Sequence, residues 1–211
     1  MPLELQPATE ADARRSLEIE KAAYAMNPYN EILFPGPHPP DALDGKAKGM
    51  ISELNKDSTI RWSKVVDTDL PDGEQMIAFS KWFIHSEPPK PQPLRDFGPG
   101  ANAGACEALF GGTKTQRERF WGDMPHVYLA ILHTDPKHQR RGAGGMLVKQ
   151  VVDEARKLGL VACLQSSPAG HELYKKCGFH DINLLSTDLS KWGATEMHYI
   201  WAMTCDPSKT Q

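Results

Sequence analysis

The sequence carries no excess of positive charge. Its 24 Lys and Arg side chains are balanced by 27 Asp and Glu side chains, which leaves a formal net charge of −3. A chain of this sign generates no broad field to attract nucleic acid or an anionic membrane surface. It also contains no continuous apolar run of about 18 residues and no basic-then-apolar leader at its start. We therefore expect a soluble, cytoplasmic protein without nucleic-acid or membrane partners.

Cysteine is scarce, and its spacing is uninformative. The four cysteines, Cys106, Cys163, Cys177 and Cys205, lie 57, 14 and 28 residues apart. Paired metal ligands are usually two to four residues apart, and disulfide scaffolds have many more cysteines in a shorter chain. We expect buried free thiols and no metal site.

The length and composition fit a single domain over residues 1–211. An apolar share of 40% is enough for a sizeable core. Proline is more frequent than usual, and nine of the 17 prolines cluster at 35–40 and 88–99. Both clusters are expected to be loops.

The first half of the chain mixes helical and strand patterns. Residues 59–66 and 75–85 are rich in β-branched and aromatic residues and are separated by Pro71-Asp72-Gly73, which predicts an antiparallel hairpin. The remaining predicted elements are a strand near residues 3–5 and helices at about 10–24, 40–55 and 105–121. The last of these is interrupted by Gly111-Gly112 and is expected to cover a sheet edge or to touch substrate.

The second half has a clearer order. Residues 126–134 are nearly all apolar, as in a strand buried on both faces, and end at Asp135-Pro136. A glycine-rich loop, an amphipathic helix over 146–158 and a short apolar strand over 160–165 follow, which together predict a βαβ unit with a parallel strand pair. A helix over 169–177 and strands over 181–189 and 196–203 complete the chain.

The glycine-rich loop, residues 139–145, has the composition of a phosphate site. A loop between a buried strand and a helix directs free backbone N–H groups at one small volume, and the helix dipole adds partial positive charge. Gly142 and Gly144 permit close approach of the main chain. Nearby positive charge comes from Lys137, His138, Arg140 and Arg141. A tight turn without a ligand is the competing interpretation.

Three other uses of this loop fit less well. A dinucleotide fold needs an acidic residue at the end of the next strand, where this chain has Ala162-Cys163-Leu164-Gln165. A nucleoside-triphosphate loop needs a Lys-Ser or Lys-Thr pair, which is missing here. Nucleic-acid binding by the cluster from Lys137 to Arg141 is disfavoured by the negative net charge and by the lack of interleaved aromatic residues.

Two motifs resemble the GNAT superfamily of acyl-CoA-dependent N-acetyltransferases. The first is Gln139, Gly142 and Gly144, which match the pattern Gln or Arg, two residues, Gly, one residue, then Gly or Ala, directly after a buried strand. The second is the Leu-Tyr-x-x-x-Gly-Phe core from Leu173 to Phe179, about 30 residues further on. Detailed resemblance covers residues 126–180, and Phe34-Pro35-Gly36 is similar to a segment of uncharacterised fungal members.

The resemblance implies an α/β fold with a mixed, mostly antiparallel central sheet flanked by helices, whose splayed parallel strand pair binds acyl-CoA. It implies acetyl-CoA as co-substrate, no metal, and direct transfer of the acetyl group to a primary amine. The backbone N–H groups implied to cradle the CoA pyrophosphate are those of Gln139, Arg140, Arg141, Gly142, Ala143, Gly144 and Gly145. The backbone of Leu132, His133 and Thr134 is implied to pair with the pantetheine arm, which Ser167 would also contact. Tyr174 is implied to protonate the departing CoA thiolate.

The proton acceptor for the attacking amine is not indicated by either motif. Some family members use a Glu about eleven residues before the loop, where this chain has Tyr128. His133 is a candidate because the ordinary pKa of histidine is near 6.5, and the other candidates are Glu31, His85 and Glu107.

The acceptor is expected to be a small molecule, bound by elements at about 24–55 and 86–121. A protein or peptide amine is an alternative, and so is a CoA-binding regulatory module without turnover. The aromatic residues Trp62, Trp82, Tyr29, Phe34 and Phe97 are candidates for an acceptor pocket, although core packing is the better interpretation for both tryptophans. The protein is expected to be a monomer or a homodimer.

Overall fold

The computed structural model describes residues 2–90, 96–206 and 208. The strands are β1 Leu3–Pro7, β2 Ile60–Asp67, β3 Met76–His85, β4 His126–Thr134, β5 Val161–Ser166, β6 His180–Thr187 and β7 His198–Cys205. The helices are α1 Ala13–Ala23, α2 Asn30–Leu33, α3 Ala42–Lys56, α4 Ala103–Cys106, α5 Gly112–Trp121, α6 Ala143–Leu158 and α7 Pro168–Lys176. Short 3₁₀ turns lie at Glu10–Asp12, Pro136–His138 and Ser190–Trp192.

All seven strands form one sheet in the order β1-β2-β3-β4-β5-β7-β6. The β4–β5 pair is parallel, and every other neighbouring pair is antiparallel. The parallel pair arises because α6 carries the chain from the end of β4 back to the start of β5. The predicted mixed, mostly antiparallel α/β fold is confirmed.

The parallel pair separates halfway along β4. Register pairs run from His126 with Val161 to Leu129 with Leu164, and no pair follows. The next residue, Ala130, also lies at a β-bulge, because β3 pairs with Leu129 and then with Ile131. Ala130 is exposed and has no cross-strand partner on either side. The sheet therefore opens at Ala130, and we call this opening the split.

Two layers of helix cover the sheet. On one face α6 and α7 bury a core that includes Val151, Leu164 and Tyr174, which follows from the helical spacing of the apolar residues in α6. On the other face α1 and α3 cover a cluster around Trp62 and Phe79. Helix α5 lies on this second face across β5, β7 and β6. We call the first layer the cofactor side and the second the acceptor side.

The connection between β3 and β4 differs from the expectation in two ways. Gly111-Gly112 does not interrupt the helix, because a π-helical turn at Glu107–Gly111 joins α4 directly to α5. The helix also covers a face of the sheet rather than an edge, since Trp121 packs beside Tyr128 and Cys163. Within the preceding loop, Pro91 and Pro93 lie outside the described residues.

The structure also describes the cysteines, the lengths of the helices and the groups that could bind a metal ion. Cys106, Cys163 and Cys205 are buried and form no disulfide within the described residues, as predicted, whereas Cys177 is only half-buried. Among the described residues, no helix has the length and apolarity needed to cross a membrane. No cluster of three or more His, Cys, Asp or Glu side chains suited to a metal ion occurs within the described ranges.

Candidate active site

The glycine-rich loop turns into α6 through two residues with left-handed backbone. Arg140 has φ 63° and Gly142 has φ 94°, a conformation that favours glycine. The N–H of Met146 donates to the carbonyl of Gly142 at 3.1 Å and opens the helical bond ladder. The N–H groups of Ala143, Gly144 and Gly145 therefore precede the ladder and are available to an anion at the positive end of the helix dipole.

The space around two loop glycines differs. A Cβ atom on Gly145 would meet no atom within 4 Å, so this position faces open space. A Cβ on Gly144 would lie 3.2 Å from Leu173 of α7 and 3.7 Å from the hydroxyl of Thr134. Gly144 thus lets α6, α7 and the end of β4 approach one another. Gly145 leaves room for a ligand, so the residues present fit a phosphate group.

Not every positively charged side chain near the loop is available to an anionic ligand. The Arg141 guanidinium lies 2.6 Å from the carboxylate of Asp67, which is almost fully buried. The hydrogen bond from Arg141 holds the pKa of Asp67 below its usual value. The side chain of Arg141 therefore anchors the loop to β2, which differs from the expectation that it adds free positive charge. Lys137 and Arg140 are exposed.

The end of β4 has the open edge that the pantetheine prediction requires. Leu132, His133 and Thr134 pair with β3 on one side, and on the other they lie beyond the last residue paired with β5. The Gln139 side chain donates a hydrogen bond to the carbonyl of Thr134 at 3.3 Å. Ser167 lies across the split at the start of α7, where its hydroxyl makes no capping bond.

Tyr174 is buried at the split. Its ring lies back against Gly170, where a Cβ atom would be 2.7 Å from Cε2 of the ring and 3.5 Å from the hydroxyl of Ser166 at the end of β5. Only glycine at position 170 leaves room for this ring orientation. Burial, followed by the neighbouring phenols of Tyr24 and Tyr128, raises the pKa of Tyr174 far above the usual value. The hydroxyl therefore keeps its proton through neutral pH.

Tyr128 forms a hydrogen-bonded bridge over the split. Its hydroxyl donates to the side-chain carbonyl of Gln165 at 3.0 Å, and Gln165 is the first β5 residue without a partner in β4. The Gln165 amide in turn donates to the carbonyl of Thr113 and to the side chain of Gln116 in α5. Burial raises the pKa of Tyr128, so this residue is a poor proton acceptor.

Sequence reasoning missed this polar chain because its members are far apart in sequence. Gln116 is buried in a helix that carries four charged side chains. It continues the chain of hydrogen bonds by donating to Asn183 of β6 at 2.9 Å. A single buried glutamine in a charged helix was the available signal. Its partners could not be identified without the tertiary contacts.

The four candidate bases do not converge at the split. Burial beneath α1 lowers the pKa of His133 to about 4, and its Nε2 contacts the Ser16 hydroxyl at 3.2 Å. Burial also lowers the pKa of His85 to about 4, and this residue pairs with His126 four residues before Ala130. That separation is about 13 Å along a strand. Glu31 and Glu107 are exposed on α2 and on the π turn.

The aromatic candidates divide as follows. Trp62 and Trp82 are buried core residues, as expected. Phe34 and Phe97 pack with Leu33, Cys106 and Leu109 in a small cluster between α2 and α4. Tyr29 belongs to the acceptor side, since its hydroxyl donates to the carbonyl of Met197 at 3.1 Å.

Comparison with known proteins identifies the family. The sequence model of the Acetyltransferase (GNAT) family matches residues 74–179, which is half of the chain. The chain belongs to this family, whose co-substrate is acetyl-CoA, and it is an N-acetyltransferase. Both motifs lie inside the matched range. A search of curated protein sequences found no match.

Solved structures with the same fold have low sequence identity. The C-terminal condensation domain of Ebony, in complex with beta-alanyl-dopamine, has a TM-score of 0.70 at 11% identity and covers 97% of this chain and 98% of that chain. A Drosophila melanogaster polyamine N-acetyltransferase that forms N-acetylagmatine has a TM-score of 0.62 at 16% identity, with coverage of 97% and 100%. A histone acetyltransferase HPA2 and related acetyltransferase from Corynebacterium glutamicum has a TM-score of 0.61 at 17% identity, with coverage of 100% and 99%. These likenesses concern the fold.

Proposed function

We propose that the protein transfers the acetyl group of acetyl-CoA directly to a primary amine of a small molecule. The observation that carries this proposal is the split between β4 and β5, which has the glycine-rich loop at one end and the buried hydroxyl of Tyr174 beside it. In this proposal residues 1–211 act as one catalytic unit in the cytoplasm.

The loop and the strand end would hold the co-substrate. The amides of residues 139–145 would bind the pyrophosphate at the start of α6, where the helix dipole favours negative charge. The backbone of Leu132, His133 and Thr134 would bond the pantetheine arm as an added strand, since their edge facing β5 has no strand partner. Ser167 would contact the same arm from α7. Acetyl-CoA supplies the thioester that is cleaved.

The chemistry divides between Tyr174 and solvent. The amine nitrogen forms a bond to the carbonyl carbon, the C–S bond breaks, the amine proton passes to water, and Tyr174 donates its proton to the sulfur. Water is the proton acceptor in this proposal, because burial lowers the pKa of His133 and of His85 to about 4 and because Glu31 and Glu107 are exposed. Burial raises the pKa of Tyr174, and it would equally raise the proton affinity of a thiolate in the same place.

The acceptor side supports a small acceptor. The hydroxyl of Tyr29 bonds the carbonyls of Met197 and Glu196, so the α1–α2 connection is tied to the β6–β7 connection. These connections flank the split, because β7 extends past its pairing of Trp201 with Ser166 at the end of β5. An extended peptide would have to separate them. A protein or peptide amine is the second candidate, since one structural neighbour, from Corynebacterium glutamicum, is described as a histone acetyltransferase.

A turnover screen tests the proposal. Purified protein and acetyl-CoA are incubated with pooled small amines and, separately, with pooled peptides, while the release of free thiol is measured. We expect thiol release with at least one small amine. Release with peptides alone would assign the protein-acetylating function, and no release with any acceptor by protein that binds acetyl-CoA would contradict the proposal.

A further inference from the structure

We call the strip of sheet between α3 and α5 on the acceptor side the groove, with these two helices as its walls. Phe83 of β3 packs against the cluster beneath α3 and also against the cluster beneath α5, yet it is only half-buried. It therefore lies on a floor that both helices leave partly uncovered. Tyr128 continues this floor on β4, with its ring 6.4 Å from that of Phe83. The groove leads to the split, since Tyr128 bonds Gln165 there.

One cation lies beside each wall of the groove, but the two cations differ in pairing. Beside the α3 wall, Lys81 of β3 lies over the Phe83 ring and forms an ion pair with Glu53 of α3. On the α5 wall, the guanidinium of Arg117 lies 5.3 Å from the centre of the Tyr128 ring. No carboxylate of the described residues pairs with Arg117, and residues 91–95 include no Asp or Glu.

The lack of a carboxylate is unusual for a cation of this burial. Arg117 is half-buried, and the other cations with comparable or greater burial each contact a carboxylate in the described part of the chain. These pairs are Arg15 with Asp135, Lys64 with Asp12, Lys81 with Glu53, Lys114 with Glu118, and Arg141 with Asp67. Partial burial of an uncompensated charge is costly, and an anionic ligand would offset that cost.

A carboxylate, Asp57, acts on His85 by raising its pKa, but the groups that interact directly with Arg117 are neutral. Its charge adds to the effect of burial in lowering the pKa of His85 and of His126, so both rings remain neutral at pH 7. Tyr128 keeps its proton because burial raises its pKa. Arg117 is thus a guanidinium that faces neutral groups. The Tyr128 ring that it contacts is two strand residues from Ala130, or about 7 Å along β4.

We infer that Arg117 binds an anionic group on the acceptor, so that the substrate is an amine with a carboxylate or phosphate a few bonds away. This inference rests on the proposed function and names its substrate class. A guanidinium binds a carboxylate or a phosphate with two parallel hydrogen bonds, which would orient the amine toward the split. A polyamine, which carries only positive charge, would be repelled.

Matched acceptors test the inference. Beta-alanine is compared with propylamine, and tyrosine with tyramine, for the carboxylate; phosphoethanolamine is compared with ethanolamine for the phosphate. We expect the wild type to prefer the anionic member of at least one pair by about tenfold or more in kcat/KM, because a hydrogen bond to a charged group contributes at least that factor. Arg117→Gln should abolish this preference by lowering kcat/KM for the anionic member about tenfold or more relative to the uncharged amine.

Arg119→Gln is the matched control. Arg119 is on the same helix but is exposed and lies over Phe120, outside the groove, so its removal should not change the preference. Equal kcat/KM for both members of every pair in the wild type would overturn the inference. So would an Arg117→Gln protein that loses activity on charged and uncharged amines alike.

A binding measurement separates this inference from the proposed reaction. Calorimetry with CoA-bound protein compares N-acetyl-beta-alanine with N-propylacetamide, and N-acetyl-phosphoethanolamine with N-acetylethanolamine. Tighter binding of either anion by the wild type, lost in Arg117→Gln, would support the anion site even if no amine were acetylated. In that case the proposed acetyl transfer would be wrong, and the proposed anion site at Arg117 would be supported. Equal binding of anion and neutral compound would overturn the site.

Discussion

The cofactor side and the acceptor side of the sheet are built in different ways. The cofactor side is made from consecutive segments, β4, the glycine-rich loop, α6, β5 and α7, all within residues 126–179. The acceptor side combines α1, α2, α3, the β3–β4 connection and the β6–β7 connection, which are spread from residue 13 to residue 198. Contact between them is concentrated at the split, where Tyr128 and Tyr174 are electrostatic neighbours.

This difference shows how the sequence encodes each kind of binding. Phosphate binding by backbone N–H groups needs a local loop conformation, so a short motif is sufficient. The proposed binding of the acceptor by Arg117 would depend on the relation of this side chain to Tyr128, which arises from the packing of distant elements. Changes in the backbone should therefore impair binding on the cofactor side, whereas changes in single side chains should impair binding on the acceptor side.

The largest expected effect comes from Tyr174→Phe, at the junction of the two sides. Loss of the proton donor should lower kcat by about 10²- to 10⁴-fold and leave acetyl-CoA affinity nearly unchanged, because the ring still packs against Phe179. Single-turnover kinetics and calorimetry measure the two effects separately. Since the pKa of Tyr174 is raised, kcat should show no loss from its deprotonation up to pH 9.

An unchanged single-turnover rate in Tyr174→Phe would make this residue a packing element. Water would then be the proton donor to the thiolate. No catalytic residue would then connect the cofactor side with the acceptor side of the sheet.

A second test affects the cofactor side alone. Gly145→Glu places a carboxylate in open space at the start of α6, where it would repel and displace a pyrophosphate. We expect acetyl-CoA affinity to fall by about 10- to 100-fold in calorimetry. The fold should not suffer, because Glu has a higher helix propensity than Gly and is favoured in a first helical turn.

Gly49→Glu provides the matched control for Gly145→Glu. Gly49, like Gly145, is a helical glycine with open space around its Cβ position, but it is exposed and is on α3. This variant should keep the wild-type affinity for acetyl-CoA. Wild-type affinity in a folded Gly145→Glu protein would place the pyrophosphate elsewhere.

The smallest expected effect is on stability in acid and concerns the acceptor side. Burial lowers the pKa of His133 to about 4, below the unfolded value near 6.5. Between these values the unfolded chain binds a proton that the folded chain does not. The contribution to stability is therefore complete above pH 6.5 and is lost as the pH falls toward 4. The slope is at most about 1.4 kcal/mol per pH unit for this one residue.

Denaturant unfolding at pH 7, 6 and 5 measures that slope. His133→Gln should reduce the slope of the free energy of unfolding against pH by the amount that corresponds to about one bound proton. His180→Gln, at an exposed site on β6, should leave this slope unchanged. An identical slope in His133→Gln and in the wild type would show that His133 does not titrate between pH 7 and 5.

The sequence predicted much of the fold. The strand over residues 126–134 has the predicted bounds, and α6 ends at the predicted Leu158, before a left-handed Gly159. The predicted parallel pair is also present. These features depend on local properties, such as a continuous apolar run or a glycine at a helix end. The π turn that joins α4 to α5 was not predicted, because Gly111-Gly112 has the same local signal as a helix break.

The sequence by itself determined the family, the sheet with its parallel pair and the location of the glycine-rich loop, because short segments encode strand burial, helix capping and exposed backbone amides. The tertiary structure alone decided that Arg141 is held by Asp67, that Gly170 makes room for Tyr174, and that Arg117 faces Tyr128 without a carboxylate. Each of these relations joins residues on different elements or depends on a ring orientation. Pairwise contacts between such residues exist only once the chain is packed, so no local pattern records them.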